Sequence, residues 1–150
     1  MKAILIIILI SLTVSQDFLG EPETVLLANP NGTGSNIASC ARSKIGYPYE
    51  WAKAGPNSFD CSGLALYCYG QSGISLPHKA SSQSGMGYSV SNPKEGDLIF
   101  FDYGDGVKHV GICVGGGQMV HARNKDYGVL QESFTSGYWS RVKHFAKRLY

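Results

Sequence analysis

The sequence predicts an α+β domain in which helices come first and an antiparallel sheet follows. Residues 36–71 carry helical spacing between capping residues and glycine or proline stops, and five strand-like stretches follow one another after residue 96. Helices and strands grouped in this way, rather than alternating, give a segregated α+β layout. The 19 glycines and six prolines in 150 residues favour many turns and short strands over a long-helix bundle.

Taken in order, residues 21–35 are rich in Pro, Asn and Gly and read as a leader or linker. Ser35 or Asn36 can cap a helix running to about Ile45, where Gly46 and Pro48 stop it. Residues 47–59 hold two prolines, one glycine and an asparagine, and form a loop. A second helix begins near Asp60 and ends by Gly70 or Gly73, with Leu64, Tyr67, Cys68 and Gln71 at helical spacing. Polar, Gly/Ser-rich texture follows Leu76-Pro77 until the turn at Pro93-Lys94-Glu95-Gly96. Strands are predicted over 97–101, 107–114, 118–123, 128–132 and 139–149. Arg141 to Arg148 holds four of the 13 basic residues and reads as a solvated edge strand, where lysines discourage sheet-to-sheet pairing.

A chain with 43% hydrophobic, 16% charged and 11% aromatic residues is globular, and 150 residues make one domain. A net charge of +2 supplies no basic field for nucleic acid. Met1-Lys2 precedes an apolar run over residues 3–14, too short for a membrane span of roughly 20 residues. Thr13 and Ser15 suit signal-peptidase cleavage after Ser15. The expectation is a secreted chain with a signal peptide over 1–15, a leader over 16–35, and no stable membrane insertion after cleavage. An uncleaved anchor or a buried N-terminal strand is the alternative. Asn31-Gly32-Thr33 is a glycosylation sequon. An oxidising destination permits a disulfide, but with Cys61 reserved as a free thiol only Cys40, Cys68 and Cys113 remain. Three allow at most one bridge, and buried unpaired thiols are the preferred reading.

Chemistry concentrates around Cys61. A cysteine attacks as its thiolate, and a free thiol with pKa about 8.5 is mostly protonated at neutral pH. Phe59-Asp60-Cys61-Ser62-Gly63 places the thiol in the first turn of a helix, where unpaired amides favour negative charge and lower that pKa. Gly115-Gly116-Gly117 reads as a three-residue hairpin connection. If Val114 pairs with Gln118, opposed residue numbers sum to 232, and His121 faces Gly111. His109 and His121 are then diagonal neighbours on one face, with Cα atoms roughly 7 to 8 Å apart. A one-residue slip would separate them. Gly111 between them would leave room for something packed closely, such as a helix start.

Cys61, His109 and His121 can serve as nucleophile, base and orienting group. Zinc ligation lacks a fourth ligand at metal spacing. His78 and His144 lie in a loop and a terminal strand with no matching geometry. Structural roles for the cysteine and both histidines remain open on spacing alone.

Six ordered blocks add to this reading: Tyr47-Pro48-Tyr49-Glu50-Trp51, Phe59-Asp60-Cys61-Ser62-Gly63-Leu64, Gly73-Ile74-Ser75-Leu76-Pro77, Gly96-Asp97-Leu98-Ile99-Phe100-Phe101, His109-Val110-Gly111-Ile112 and Met119-Val120-His121-Ala122. With them, residues 36–150 resemble the NlpC-type cell-wall cysteine peptidases, a papain-like family that hydrolyses peptidoglycan stem peptides. The resemblance implies a papain-like core, with N-terminal helices packed on a five- to six-stranded antiparallel sheet. It makes Cys61 the nucleophile, His109 the general base and His121 its orienter. Tyr49 borders the oxyanion site, and Asp60 and Ser62 flank the nucleophile at the L-Ala/D-Glu end of the peptide. Asp60 also reads as a plain helix cap.

Two departures touch the substrate rim: Ala52-Lys53 replaces a usual Gly-Gly, and His78 stands where an arginine is common. The implied activity is a monomeric, secreted endopeptidase cutting the γ-D-glutamyl–diamino acid bond (meso-diaminopimelate) of peptidoglycan or its muropeptide fragments. It implies no metal and no organic cofactor. An N-acetylmuramoyl-L-alanine amidase on the same scaffold, or a non-catalytic wall-binding module, is the alternative.

Overall fold

The computed structural model describes residues 30–150; the expected signal peptide, its cleavage site and most of the leader lie outside the described residues. Helix α1 spans Pro30–Ser43, α2 Cys61–Gln71, and a single turn, α3, Ala80–Gln83. The strands are β1 (Tyr88–Val90), β2 (Leu98–Asp102), β3 (Val107–Gly115), β4 (Gln118–Ala122), β5 (Val129–Ser133) and β6 (Lys143–Arg148), with a second single turn, α4 (Gly137–Ser140), before β6. All pairings are antiparallel, and the six strands form one sheet in the order β1-β6-β2-β3-β4-β5. The α+β expectation therefore holds, at the upper end of the expected strand number.

Four local expectations are corrected. Helix α1 begins at Pro30, so residues 30–35 are helix rather than linker; proline is tolerated in a first turn, where its missing N–H has no partner to lose. Gly34 belongs there because a Cβ would lie 2.4 Å from the Glu95 carbonyl oxygen. The Gly/Ser-rich stretch hides both α3 and β1, since three-residue strands carry too little alternation to read. Because β1 pairs with β6, the basic C-terminal strand is an interior one. Its Arg148 forks onto the fully buried Asp97 at 2.8 and 2.7 Å. The fourth concerns the thiols: Cys40 and Cys68 form a disulfide joining α1 to α2, while Cys61 and Cys113 are free. A bridge needs Cα atoms close enough, and here they are 5.5 Å apart.

Two cores cover the two faces of the sheet. Alternation sends Val110, Ile112 and Val120 toward α1 and α2, where they meet Ile37, Leu64 and Cys68. The other face carries Ile99, Phe101, Cys113 and Met119, closed by Phe134 and Trp139. His109 and His121 share this second face, since His109 stacks on Trp139 with ring centroids 4.9 Å apart and His121 meets the same ring edge-on.

Candidate active site

The β3–β4 register near the site runs through Ile112↔Val120 and Cys113↔Met119, both summing to 232 as the hairpin argument requires. The turn itself differs. Gly115 pairs with Gln118, leaving a two-residue Gly116-Gly117 connection, and an irregularity between Cys113 and Gly115 absorbs the extra residue, Val114. Without that bulge the register would slip by one and turn His121 to the helix side. With it, His109 Nε2 and His121 Nδ1 lie 2.7 Å apart.

The space over Gly111 is filled by Met119, whose sulfur would lie 2.6 Å from an added Cβ, and not by a helix start. Cys61 approaches from elsewhere. Pairing with β4 begins only at Ile112, so the start of β3 has an open edge there. Cys61 occupies it: its Sγ lies 3.9 Å from the Lys108 carbonyl oxygen and accepts a hydrogen bond from the Val110 amide. Those two groups flank His109 in the chain, so the thiol sits at the backbone of the residue expected to be its base. The thiol itself donates to the Lys108 carbonyl.

Helix α2 starts at Cys61 because Asp60 caps it: the Gly63 amide donates to Oδ1 at 2.7 Å. Oδ1 also takes the Ser62 hydroxyl at 3.3 Å and faces His78 Nε2 at 2.8 Å, while Oδ2 accepts from the Ala52 amide at 2.9 Å. Gly63 is required by a close approach, since a Cβ there would lie 2.0 Å from the Lys53 carbonyl oxygen. Ala52 adopts φ 62°, the left-handed region, at one of the two positions where the related pattern has glycine. Ser62 is buried, and its carbonyl accepts from Gln83.

A cleft of about 370 Å³ opens beside the thiol, bordered by Trp51, Ala52, Asp60, His78, Lys79 and Lys108. Trp51 is 76% exposed on its rim. Tyr49 lies close enough for the charges of Cys61 and Asp60 to act on it; burial first, then these neighbours, push its phenol up, so it stays a hydroxyl donor. Among the described residues, no group of three or more His, Cys, Asp or Glu is placed to hold a metal ion.

The electrostatics correct one expectation. Burial pushes the Cys61 thiol up to about 11, with Asp60 adding to it, against the lowering effect of the Val110, Ser62 and Cys61 amides. Desolvation outweighs the helix start. Burial likewise holds His109 well below the usual 6.5, with His121 adding to the effect, and brings His121 down to about 3, helped by Arg123. The resting site is a neutral thiol beside two neutral imidazoles.

Cys61, His109, His121 and Tyr49 are thus gathered in one place, with Asp60 and Ser62 building the helix start beneath them. Sequence reasoning missed three contributors. His78 was set aside for lack of geometry but closes on Asp60. Glu132 lies 2.7 Å from His121, and Trp139 stacks on His109. Glu132 was legible in principle: the β4–β5 register, His121↔Leu130 and Met119↔Glu132, makes it the diagonal neighbour of His121.

Residues 46–148 match the NlpC/P60 family model. A probable endopeptidase p60 of Listeria innocua is 45% identical over 103 residues, covering 67% of this chain and 22% of that protein. A probable endopeptidase of Corynebacterium glutamicum is 42% identical over 103 residues, covering 67% of this chain and 48% of its own length. The chain therefore spans between a fifth and a half of these relatives. Among solved structures, the NlpC/p60 domain of the peptidoglycan hydrolase SagA superposes with a TM-score of 0.68 at 35% identity, covering 77% of this chain and 98% of that domain. NlpC2 from Trichomonas vaginalis gives 0.71 at 31% identity, covering 77% and 46%.

Proposed function

We propose, from the premise that the chain belongs to the NlpC/P60 family, that it is a secreted cysteine endopeptidase cutting peptidoglycan stem peptides between D-Glu and the diamino acid. The observation that carries this reading is the placement of Cys61 against the Lys108 carbonyl and Val110 amide, with His109 between them and bonded to His121. A wall-binding module would have no use for a half-buried thiol, two coupled imidazoles and a cleft leading to them. The Cys40–Cys68 bridge supports an oxidising destination.

In this mechanism the entering peptide moves the thiol from the Lys108 carbonyl toward His109. Because both partners are neutral at rest, His109 takes the proton as Sγ attacks the D-glutamyl γ-carbonyl carbon. The Cys61 amide at the helix start and the Tyr49 hydroxyl receive the oxyanion. The His109 imidazolium then protonates the leaving amine, and water, deprotonated by the same imidazole, resolves the thioester. Trp51, Lys79 and Lys108 border the cleft in which the peptide lies, with the cationic side chains suited to its carboxylates.

Purified disaccharide-peptides of known structure, digested and analysed by mass, test this. Products split after D-Glu are expected, and none from Cys61→Ala. Release of intact stem peptides from muramic acid would make the enzyme an amidase. Activity retained by Cys61→Ala would end the cysteine-peptidase reading.

A further inference from the structure

Strands β3, β4 and β5 each lay one polar side chain on the same face of the sheet, and the three form a chain. His109 Nε2 meets His121 Nδ1 at 2.7 Å, and His121 Nε2 meets Glu132 Oε2 at 2.7 Å. His121 is completely buried and His109 nearly so. Glu132 is held by two further groups: the Trp139 indole N–H donates to Oε2 at 2.9 Å, and the Arg123 guanidinium donates to Oε1 at 2.9 Å.

The direction of every bond follows from what these groups can do. An indole N–H and a guanidinium only donate, so both oxygens of Glu132 are used as acceptors. The third partner, His121 Nε2, then supplies an N–H. A neutral imidazole has one N–H and one lone pair, which leaves the lone pair of His121 on Nδ1. Across the 2.7 Å contact His109 must therefore donate from Nε2. Its own lone pair is left on Nδ1, the only nitrogen not engaged by His121.

We propose that Glu132 is a positioning residue which, acting through His121, sets the tautomer of both imidazoles and leaves His109 Nδ1 as the proton acceptor for Cys61. The proposal rests on Cys61 and His109 being nucleophile and base. With the opposite tautomers, His109 would present an N–H to the thiol and could take no proton. When the Sγ proton passes to Nδ1, His109 becomes a cation with both nitrogens protonated. No other proton moves, and the carboxylate stabilises that charge through the polarised His121 ring. Trp139 serves the same arrangement twice, packing His109 flat and anchoring Glu132.

The full chain labelled with 15N-histidine gives the direct test, because ring-nitrogen chemical shifts distinguish N–H from lone pair. At pH 7 both His109 and His121 are expected as Nε2–H tautomers; an Nδ1–H on His109 would overturn the proposal. In Glu132→Leu both tautomers become populated, kcat falls about 100-fold with KM within about twofold, and alkylation of Cys61 by iodoacetamide slows in parallel. Glu132→Gln is the rescue: its amide oxygen can still accept from His121 and Trp139, so the tautomers and most of kcat return. Unchanged tautomers and kcat in Glu132→Leu would overturn the proposal. Should that variant fail to fold, the wild-type spectrum and Glu132→Gln decide the question. A wild-type chain inactive on murein peptides would remove the proposed substrate and leave the spectroscopic result standing.

Discussion

Replacing Asp60 by Asn separates a structural clasp from a substrate contact. Four donors converge on this carboxylate: the Gly63 amide at 2.7 Å, the Ser62 hydroxyl at 3.3 Å and His78 Nε2 at 2.8 Å on Oδ1, and the Ala52 amide at 2.9 Å on Oδ2. Asparagine offers one oxygen and one NH2. With its oxygen kept on Gly63, the helix cap survives. The NH2 then faces the Ala52 N–H, donor against donor, at a residue only 6% exposed. A lost hydrogen bond to a charged group costs about 1.5–3 kcal/mol. Losing the charge opposite the part-exposed His78 adds less than about 1 kcal/mol. The sum is about 1.5–4 kcal/mol. At about 4 °C per kcal/mol for a domain of this size, the melting temperature should fall by about 6–16 °C. Thermal unfolding followed by circular dichroism at pH 7 measures it, with His78→Ala as a control expected to lose no more than about 4 °C. A melting temperature for Asp60→Asn within about 2 °C of wild type would refute the clasp. A raised KM for stem peptides without thermal change would show that Asp60 grips the L-Ala/D-Glu end of the substrate instead.

Three further outcomes follow from the site and the core. His109→Ala should lose nearly as much activity as Cys61→Ala, whereas His121→Gln should keep part of it, because its oxygen can accept from His109 while its NH2 donates to Glu132; equal losses in kcat would remove His121 as orienter. Both histidines are held neutral, so below the ordinary value of 6.5 the unfolded chain binds protons that the folded one does not, and stability falls as pH falls. Denaturant melts between pH 7 and 5 should show roughly 1 kcal/mol lost per histidine per unit below 6.5, and His121→Gln should flatten that slope. Reducing Cys40–Cys68, which closes a 28-residue separation, should cost about 3–4 kcal/mol, read as a lower melting temperature in dithiothreitol; an unchanged value would mean the bridge is not formed in solution.

The α+β class, the start of α2 at Asp60-Cys61 and the shared face of His109 and His121 were legible in the sequence. Each depends on a local period or a short-range pairing: 3.6 for the helix, 2 for the strands, and one hairpin for the histidines. Even there, the shared face came through a compensated difference. The predicted three-residue turn is a two-residue turn plus a bulge at Val114, and both give the same register at Ile112↔Val120. What the sequence left open depends on distant parts of the chain meeting. Glu132 enters through the β4–β5 register, Trp139 through the turn before β6, and the Cys40–Cys68 bridge through the packing of α1 on α2. The interior place of β6 was hidden because its cover, β1, is only three residues long. The thiol's protonation was the deepest of these. A helix start lowers a cysteine's pKa and can be read from Asp60-Cys61, but burial raises it, and how much surface Cys61 loses is decided only when α2, the 50–53 loop and the open edge of β3 close around it. Periodicity is written in neighbouring residues; desolvation is a property of the assembled fold.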